Sequence, residues 1–227
     1  MADNKKNNQI KESSSLLDKK NIYNYNDYQK WDNDKHYELI YGRIFDMTPT
    51  PSRKHQEISG AIHNIFYNYL INKKCEIYAA PFDVRLPDYN LKISANSNEE
   101  KSKENVKYNK NDYNDKKILT VVQPDLSIIC DRNKLDDKGC IGAPELIIEI
   151  ISPNTGIKDR KIKRGLYEKH GVKEYWIVDY HEKTVEVYLL NKKGEYNKAN
   201  IYGTDDILTT NILPDLKVDL SLIFKNV

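Results

Sequence analysis

The sequence lacks most of the features that mark exported, membrane-spanning or zinc-binding proteins. Of its 227 residues only 3 are cysteines, and Cys75, Cys130 and Cys140 follow no CxxC spacing. This pattern indicates neither a zinc site nor a full set of disulfides. No apolar run approaches the ~18–20 residues of a membrane span, and the N-terminus lacks the apolar core of a signal peptide. We therefore expect a cytoplasmic protein that makes no contact with membranes.

An excess of charge of one sign is also missing. The 36 Lys and Arg residues nearly balance the 34 Asp and Glu residues, which leaves a formal net charge of +2. A nucleic-acid partner would therefore have to be bound by a local patch of charge and not by the protein as a whole.

Large aliphatic side chains are scarce in two segments that are rich in Asn, Lys and Ser. Residues 1–24 form the first of them and residues 89–117 the second. Neither contains enough apolar surface to pack into a core. We predict a disordered N-terminal tail over 1–24 and a single domain over 25–227, with a disordered low-complexity insertion at 89–117.

Two apolar runs between residues 121 and 151 have the composition of buried strands. Val121–Cys130 and Leu146–Ile151 are rich in β-branched residues and are bounded by Pro, Gly and charged residues. Each run carries one carboxylate, Asp125 in the first and Glu149 in the second. An ionised Glu149 left unpaired between isoleucines would cost several kcal/mol. A cationic group must therefore meet it.

A lysine-rich helix is predicted directly after the second run, over Ile157–His170, with Gly171 as its C-terminal cap. Within it, Asp159, Lys163 and Tyr167 recur every four residues and so share one helical face. Two strand carboxylates and a helix lysine can together hold a hard divalent cation and a phosphate. Such a cation can activate water and stabilise an anionic phosphorus transition state.

The remaining segments predict further strands around one long amphipathic helix. That helix spans Pro51–Asn72 and follows a Thr50 cap. Glycine at position 42 favours a hairpin turn in the segment before it. The predicted strands are Tyr37–Ile40, Arg43–Met47, Glu76–Leu86, Glu174–Tyr180, Thr184–Leu190 and Glu195–Tyr202, and the C-terminal residues add a short strand and a last helical turn. We predict an α/β fold with a mixed central β-sheet and one helix on each face.

The order of Pro124-Asp125, a glutamate inside an apolar strand and then a lysine resembles the PD-(D/E)XK nuclease superfamily. More closely, the chain resembles the Uma-two group of restriction-endonuclease-like proteins. The resemblance is carried by YELIYGRIFDM (Tyr37–Met47), APFDVRL (Ala80–Leu86), VVQPDL (Val121–Leu126), GAPELIIEIISPNT (Gly142–Thr155), DRKIKRGLYEKHGVKEYWIVD (Asp159–Asp179) and TVEVYLL (Thr184–Leu190).

This resemblance implies a restriction-endonuclease-like fold and a metal-dependent endonuclease that hydrolyses phosphodiester bonds of DNA. The expected metal is Mg²⁺, with Mn²⁺ as a substitute. Asp125 and Glu149 would bind it, aided by the main-chain carbonyl of Ile150. Lys163 matches the helix lysine of the family and would orient the attacking water or neutralise the phosphate. The superfamily's usual strand lysine is absent, because Ile151 stands at its position.

Two neighbouring lysines and two further polar residues complete the candidates. Lys161 lies about 160° around the helix from Lys163 and is expected to face water, while Lys158 is the alternative to Lys163. His55 matches a histidine of the family, although a packed or capping histidine is the alternative for it. Glu38 matches an acidic residue near the family's active site. For Glu38 the pattern favours an outward-facing strand residue.

Two hypotheses compete with a catalytic site. In the first, Glu149 and Lys163 form only a structural salt bridge with Asp125 at a strand end, but such pairs stabilise poorly compared with apolar residues. In the second, an inactive nuclease-like scaffold serves as a nucleic-acid or protein binding module, which the near-neutral charge and the missing strand lysine favour. Nuclease folds often dimerise to cut two strands, so a homodimer fits the family, although the sequence shows no self-complementary patch.

Overall fold

The computed structural model describes residues 22–31, 37–47, 50–87, 114–151 and 158–226, with residue 158 as backbone only. Residues 1–21 of the predicted tail and residues 89–113 of the predicted insertion lie outside the described residues. Tyr23 and Asn24, which the prediction assigned to the tail, already contact the domain. The Tyr23 amide donates to the Gly42 carbonyl at 2.9 Å, and Asn24 caps the first helical turn.

Strands predominate in the described residues. In chain order they are β1 (Tyr37–Ile40), β2 (Arg43–Asp46), β3 (Glu76–Ala79), β4 (Val84–Arg85), β5 (Val121–Val122), β6 (Leu126–Ile129), β7 (Leu135–Asp136), β8 (Gly139–Ile141), β9 (Leu146–Ile151), β10 (Glu174–Asp179), β11 (Thr184–Leu189), β12 (Asn200–Tyr202), β13 (Ile207–Thr209) and β14 (Lys217–Asp219). The helices are α1 (Tyr25–Tyr28), α2 (Arg53–Leu70), α3 (Arg164–His170) and α4 (Leu220–Ile223), and a π-helical segment (Lys158–Lys163) runs directly into α3. Within this part of the chain no helix is long and apolar enough to cross a membrane.

A six-stranded mixed sheet, which we call the core sheet, forms the centre of the fold. Its order is β12-β11-β10-β9-β6-β3, with β9 and β10 parallel and the other neighbours antiparallel. Alternate residues of β9 point to opposite faces. Ile148 and Ile150 pack with α2, whereas Ile147 and Ile151 pack with α3. The predicted α/β fold, a mixed central sheet flanked by helices on both faces, is confirmed.

A second six-stranded sheet, the flanking sheet, was not foreseen as a separate unit. Its order is β2-β1-β5-β4-β8-β7. Ile40, Val84 and Val122 from this sheet join Ile147 and Leu166 in one buried cluster. The α3 face of the core sheet is therefore covered by both α3 and the flanking sheet.

Two segments predicted as single strands are each divided between the two sheets. Val121–Cys130 becomes β5 and β6, and Glu76–Leu86 becomes β3 and β4. A proline stands at each break: Pro124 in the first segment and Pro81, after a cis peptide bond, in the second. Proline has no N–H for a sheet ladder, so the chain leaves one sheet there and enters the other. The break in the first segment places Asp125 at the junction.

Both main helices differ from prediction in their first turn. α2 starts after Ser52, whose side chain accepts from the His55 amide at 3.2 Å, and not after Thr50. The second helix opens with the π-helical segment, and its wider turn rotates the side chains relative to an α-helix. Ile162, which a regular α-helix would place on the same side as the buried Leu166, is 42% exposed, while the end at Gly171 in a left-handed conformation is as predicted.

The polar segment at 131–139 is exposed over much of its length, including Asp136 and Asp137. It contains a 3₁₀ turn and β7, and Lys134 from it is buried against Glu145 with 2.8 Å between Nζ and Oε1. The Cys130 amide donates to the other Glu145 oxygen at 2.8 Å. Cys130 is also joined to Cys75 by a disulfide, which the cysteine spacing did not indicate. Cys75 directly precedes Glu76 and Cys130 directly follows Ile129. The two cysteines therefore occupy the position next to the last β3–β6 pair.

Candidate active site

The two predicted carboxylates lie at one end of the β6–β9 ladder. Its last pair is Leu126 with Ile148, so Asp125 and Glu149 occupy the next positions on the two strands. Oδ2 of Asp125 accepts a 2.7 Å hydrogen bond from the Ile150 amide. Because the β6–β9 ladder ends before Ile150, the Asp125 side chain serves as the acceptor for the Ile150 amide in place of a main-chain carbonyl of β6.

Lys163 supplies the cation that Glu149 needs. Its Nζ lies 2.7 Å from Oε1 of Glu149 and 2.8 Å from Oε1 of Glu38, with Oδ1 of Asp159 at 3.8 Å. The Lys163 side chain is only 1% exposed, because the core sheet, the flanking sheet and the helix enclose it together. Lys161 is exposed, as expected.

The side chain of Lys158, the alternative to Lys163, lies outside the described residues. Within the part of the chain that the structure describes, the buried helix lysine that meets Glu149 is Lys163.

Tyr167 joins Lys163 on the same oxygen of Glu149. Its hydroxyl donates to Oε1 at 2.6 Å, one helical turn beyond Lys163. No hydrogen bond to Oε2 of Glu149 is found within the described ranges. The two donors thus orient the carboxylate by one oxygen. The four-residue spacing placed Tyr167 on this face but assigned it no role.

Glu38 is a site residue whose predicted orientation was wrong. Its side chain is fully buried, and Oε1 accepts from the Gln123 amide at 3.2 Å as well as pairing with Lys163. β1 lies inside the flanking sheet, between β2 and β5. Glu38 therefore faces the charged cluster, while Leu39 faces the opposite cluster around Tyr25. A charged residue in a four-residue strand gave no local signal of this burial.

His55 reaches the site from the first turn of α2. Its Nε2 lies 3.1 Å from Oδ1 of Asp125, so both Asp125 oxygens have partners. Its Nδ1 is buried and has no partner among the described residues. The Ser52 cap binds only the main-chain amide of His55, which leaves the imidazole free to meet Asp125.

Burial and charge together set the protonation of the cluster. Burial raises the pKa of Glu149 to about 8 against the opposing effect of Lys163, and the carboxylates of Asp159, Asp125 and Glu38 add to the rise. Burial alone would lower the pKa of Lys163, but Glu149, Glu38 and Asp159 hold it well above its usual value. The surrounding carboxylates thus favour the charged form of Lys163, and burial favours the protonated form of Glu149.

The donor chemistry of this cluster fits a hard divalent cation. Glu38, Glu149 and Asp159 surround a single ammonium group, so the carboxylates outnumber the positive charge. Among the described residues no three His, Cys, Asp or Glu side chains form a ready metal site. A cation would rest on Asp125, Glu149 and main-chain or water oxygens, a set that Mg²⁺ accepts. Ile150, expected to offer its carbonyl, contacts Asp125 through its amide.

Comparison with known proteins agrees with the motifs. The family pattern named Uma2, described as "Putative restriction endonuclease", matches residues 25–94 and 113–221. The chain belongs to the Uma2 family. The predicted membership, made from the motifs alone, is confirmed.

Two relatives extend this result. An uncharacterized protein of Synechocystis is 24% identical over 198 residues, which cover 86% of this chain and 88% of the relative. A crystal structure from Anabaena variabilis, described as a putative nuclease belonging to DUF820, superposes with a TM-score of 0.63 and 16% identity over 89% of this chain and 97% of that one. The two proteins share the restriction-endonuclease-like fold.

Proposed function

We propose that this Uma2 protein is a metal-dependent endonuclease that hydrolyses phosphodiester bonds of DNA. The observation that carries the proposal is the meeting of Asp125 and Glu149 at one ladder end with Lys163 paired to Glu149. The descriptions of the Uma2 family and of the Anabaena protein both name nucleases, which supports the same class of reaction.

Asp125 and Glu149 are the residues that would hold Mg²⁺ or Mn²⁺, with the Ile150 carbonyl as a further oxygen. When bound, the cation supplies positive charge that stabilises an anionic phosphorus transition state and favours ionisation of water. A cation bound there would favour the ionised form of Glu149, against the effect of burial on its pKa.

The other side chains of the cluster have separate tasks in this proposal. Lys163 and Tyr167 hold Oε1 of Glu149, so that Oε2 is presented to the cation. Lys163 also offsets the charge of Glu38. His55 orients Asp125 through Oδ1.

Cleavage of supercoiled plasmid with Mg²⁺ or Mn²⁺ tests the proposal. The wild-type protein should nick or linearise the plasmid and lose this activity in EDTA. Asp125→Asn and Glu149→Gln should each lose it, while Asp137→Asn, at an exposed aspartate outside the site, should retain it. Equal cleavage by wild type and both site variants would contradict the assignment.

One observation favours an inactive binding module instead. The position two residues after Glu149 holds Ile151, which is 1% exposed, and Lys163 is already engaged by two carboxylates. Calorimetry separates the two functions. A binding module would bind DNA without taking up Mg²⁺ or Mn²⁺, whereas the nuclease should take up metal in wild type and lose this uptake in Glu149→Gln.

A further inference from the structure

Asp83 makes contacts that its sequence position did not predict. Its position two residues before Arg85 favours an outward orientation or a pair with that residue, but the Arg85 guanidinium pairs with Asp136. Oδ1 of Asp83 instead accepts from Nε2 of Gln123 at 2.9 Å and from the Tyr28 hydroxyl at 3.1 Å. Its Oδ2 accepts from the Tyr25 hydroxyl at 3.4 Å.

Gln123 connects this carboxylate to the candidate active site by two routes. Its main-chain amide donates to Oε1 of Glu38, the oxygen that also binds Lys163. It also stands two residues before Asp125, and the intervening Pro124 has a restricted φ angle. The orientation of Gln123 therefore affects Glu38 and Asp125 together.

The main chain at Asp83 is held in place by β8. The Cys140 amide donates to the Asp83 carbonyl at 2.8 Å. Gly139 has a φ of +124°, and a Cβ built there would lie 2.2 Å from the same carbonyl oxygen, so only glycine permits this close approach. Asp83 is thus a fixed acceptor at the edge of the site.

We propose that Asp83 is a positioning residue of the active site. Through Gln123 it holds Glu38 against Lys163 and keeps Asp125 at the ladder end beside Glu149. The inference rests on the proposed function, because it assigns these groups to one reaction. The competing explanation is that Asp83 only ties α1 to the domain through Tyr25 and Tyr28. The hydrogen bond from Gln123 distinguishes the two roles, because only the positioning role depends on it.

Amide hydrogen exchange measures this positioning even if the protein cuts no DNA. The amides of Gln123 and Ile150 donate to Glu38 and Asp125. Asp83→Leu removes the carboxylate acceptor of Gln123 and leaves its Nε2 only the Tyr28 hydroxyl, at 3.1 Å. We expect both amides to exchange at least about tenfold faster in this variant. Amides of Trp176 and Val187, on β10 and β11, should exchange as in wild type.

Kinetics and two matched variants complete the test. Asp83→Leu should lower kcat about 10–100-fold, as for other groups that orient active-site ligands, with KM nearly unchanged. Asp83→Asn, whose Oδ1 can still accept from Gln123, should recover most of the loss. Tyr25→Phe removes the 3.4 Å bond to Oδ2 and leaves the acceptor of Gln123 in place, so both exchange rates and kcat should stay close to wild type.

Each outcome of these experiments either supports or overturns the positioning role of Asp83. Wild-type exchange at Gln123 and Ile150 in Asp83→Leu would overturn the proposal, and so would equal acceleration of the Trp176 and Val187 amides, which would indicate general loosening. If wild type cuts no DNA, the proposed function fails while the exchange data still decide the positioning role. Should Asp83→Leu not fold, Gln123→Met removes the same hydrogen bond and should give the same pattern.

Discussion

Nζ of Lys163 lies 2.7 Å from Oε1 of Glu149 in the interior of the protein, with both side chains at most 5% exposed. A buried pair of this kind is rarely more stabilising than apolar residues of similar size. Carboxylates also outnumber the ammonium group here, because Glu38 and Asp159 lie beside the same lysine. The proposed function gives this arrangement a role other than stability, and the arrangement has measurable consequences.

Replacing Lys163 by methionine should destabilise the protein strongly. The variant leaves buried carboxylates without their cation, for which we expect a loss of about 3–5 kcal/mol. The loss should be smaller at about pH 5.5 than at about pH 8.5, because a protonated Glu149 needs no cation. Lys161→Met, at an exposed position of the same helix, should change stability by less than about 0.5 kcal/mol. Urea unfolding at both pH values measures the difference, and equal effects of the two variants would refute the expectation.

The raised pKa of Glu149 predicts a pH dependence of folding in the metal-free protein. Between its ordinary pKa of 4.5 and its folded value of about 8, the folded protein keeps a proton that the unfolded chain has released. The free energy of unfolding should therefore fall as pH rises through this window, by at most about 1.4 kcal/mol per pH unit from this group. Unfolding in EDTA measures it. Glu149→Gln should show a shallower slope, and identical slopes would count against the titration.

Tyr167→Phe should weaken catalysis more than it weakens folding. It removes the 2.6 Å hydrogen bond to Oε1 of Glu149, which is worth about 1.5–3 kcal/mol when the carboxylate is ionised. If that energy orients Glu149 for the cation, cleavage should fall about 10–100-fold. Tyr196→Phe is the matched control, since its buried hydroxyl donates to the Val172 carbonyl away from the site. Plasmid cleavage and thermal unfolding of both variants give the comparison, and equal activity losses would speak against this role.

The disulfide between Cys75 and Cys130 should contribute measurably to stability. It closes a loop with a sequence separation of 55, for which loop-closure entropy gives about 4 kcal/mol. Cys75→Ser/Cys130→Ser should unfold at lower temperature than wild type, and a reductant should affect wild type alone. Titration of thiols in denaturant provides the independent check. It should find the single free thiol of Cys140 in wild type, whereas three thiols would show that the bond is absent.

Local sequence was sufficient for the elements with a strong pattern of their own. The continuous apolar run of β9 indicated a buried strand, and the isolated acid within it indicated Glu149. The four-residue spacing placed Asp159, Lys163 and Tyr167 on one face. The motifs in their order indicated the family and the fold. In each case the information lies within one short segment or in the order of several motifs along the chain.

Tertiary structure alone decided which distant groups meet. A strand pattern does not specify the sheet in which the strand pairs, so the sequence did not show that the two halves of Val121–Cys130 join different sheets. Burial of Glu38 depends on β1 pairing with β5, and burial of Glu145 depends on Lys134, 11 residues away. The physical reason is that periodicity reports only how much of an element is covered. What covers it, and whether a charge finds a partner there, depends on contacts that form when the two sheets pack together.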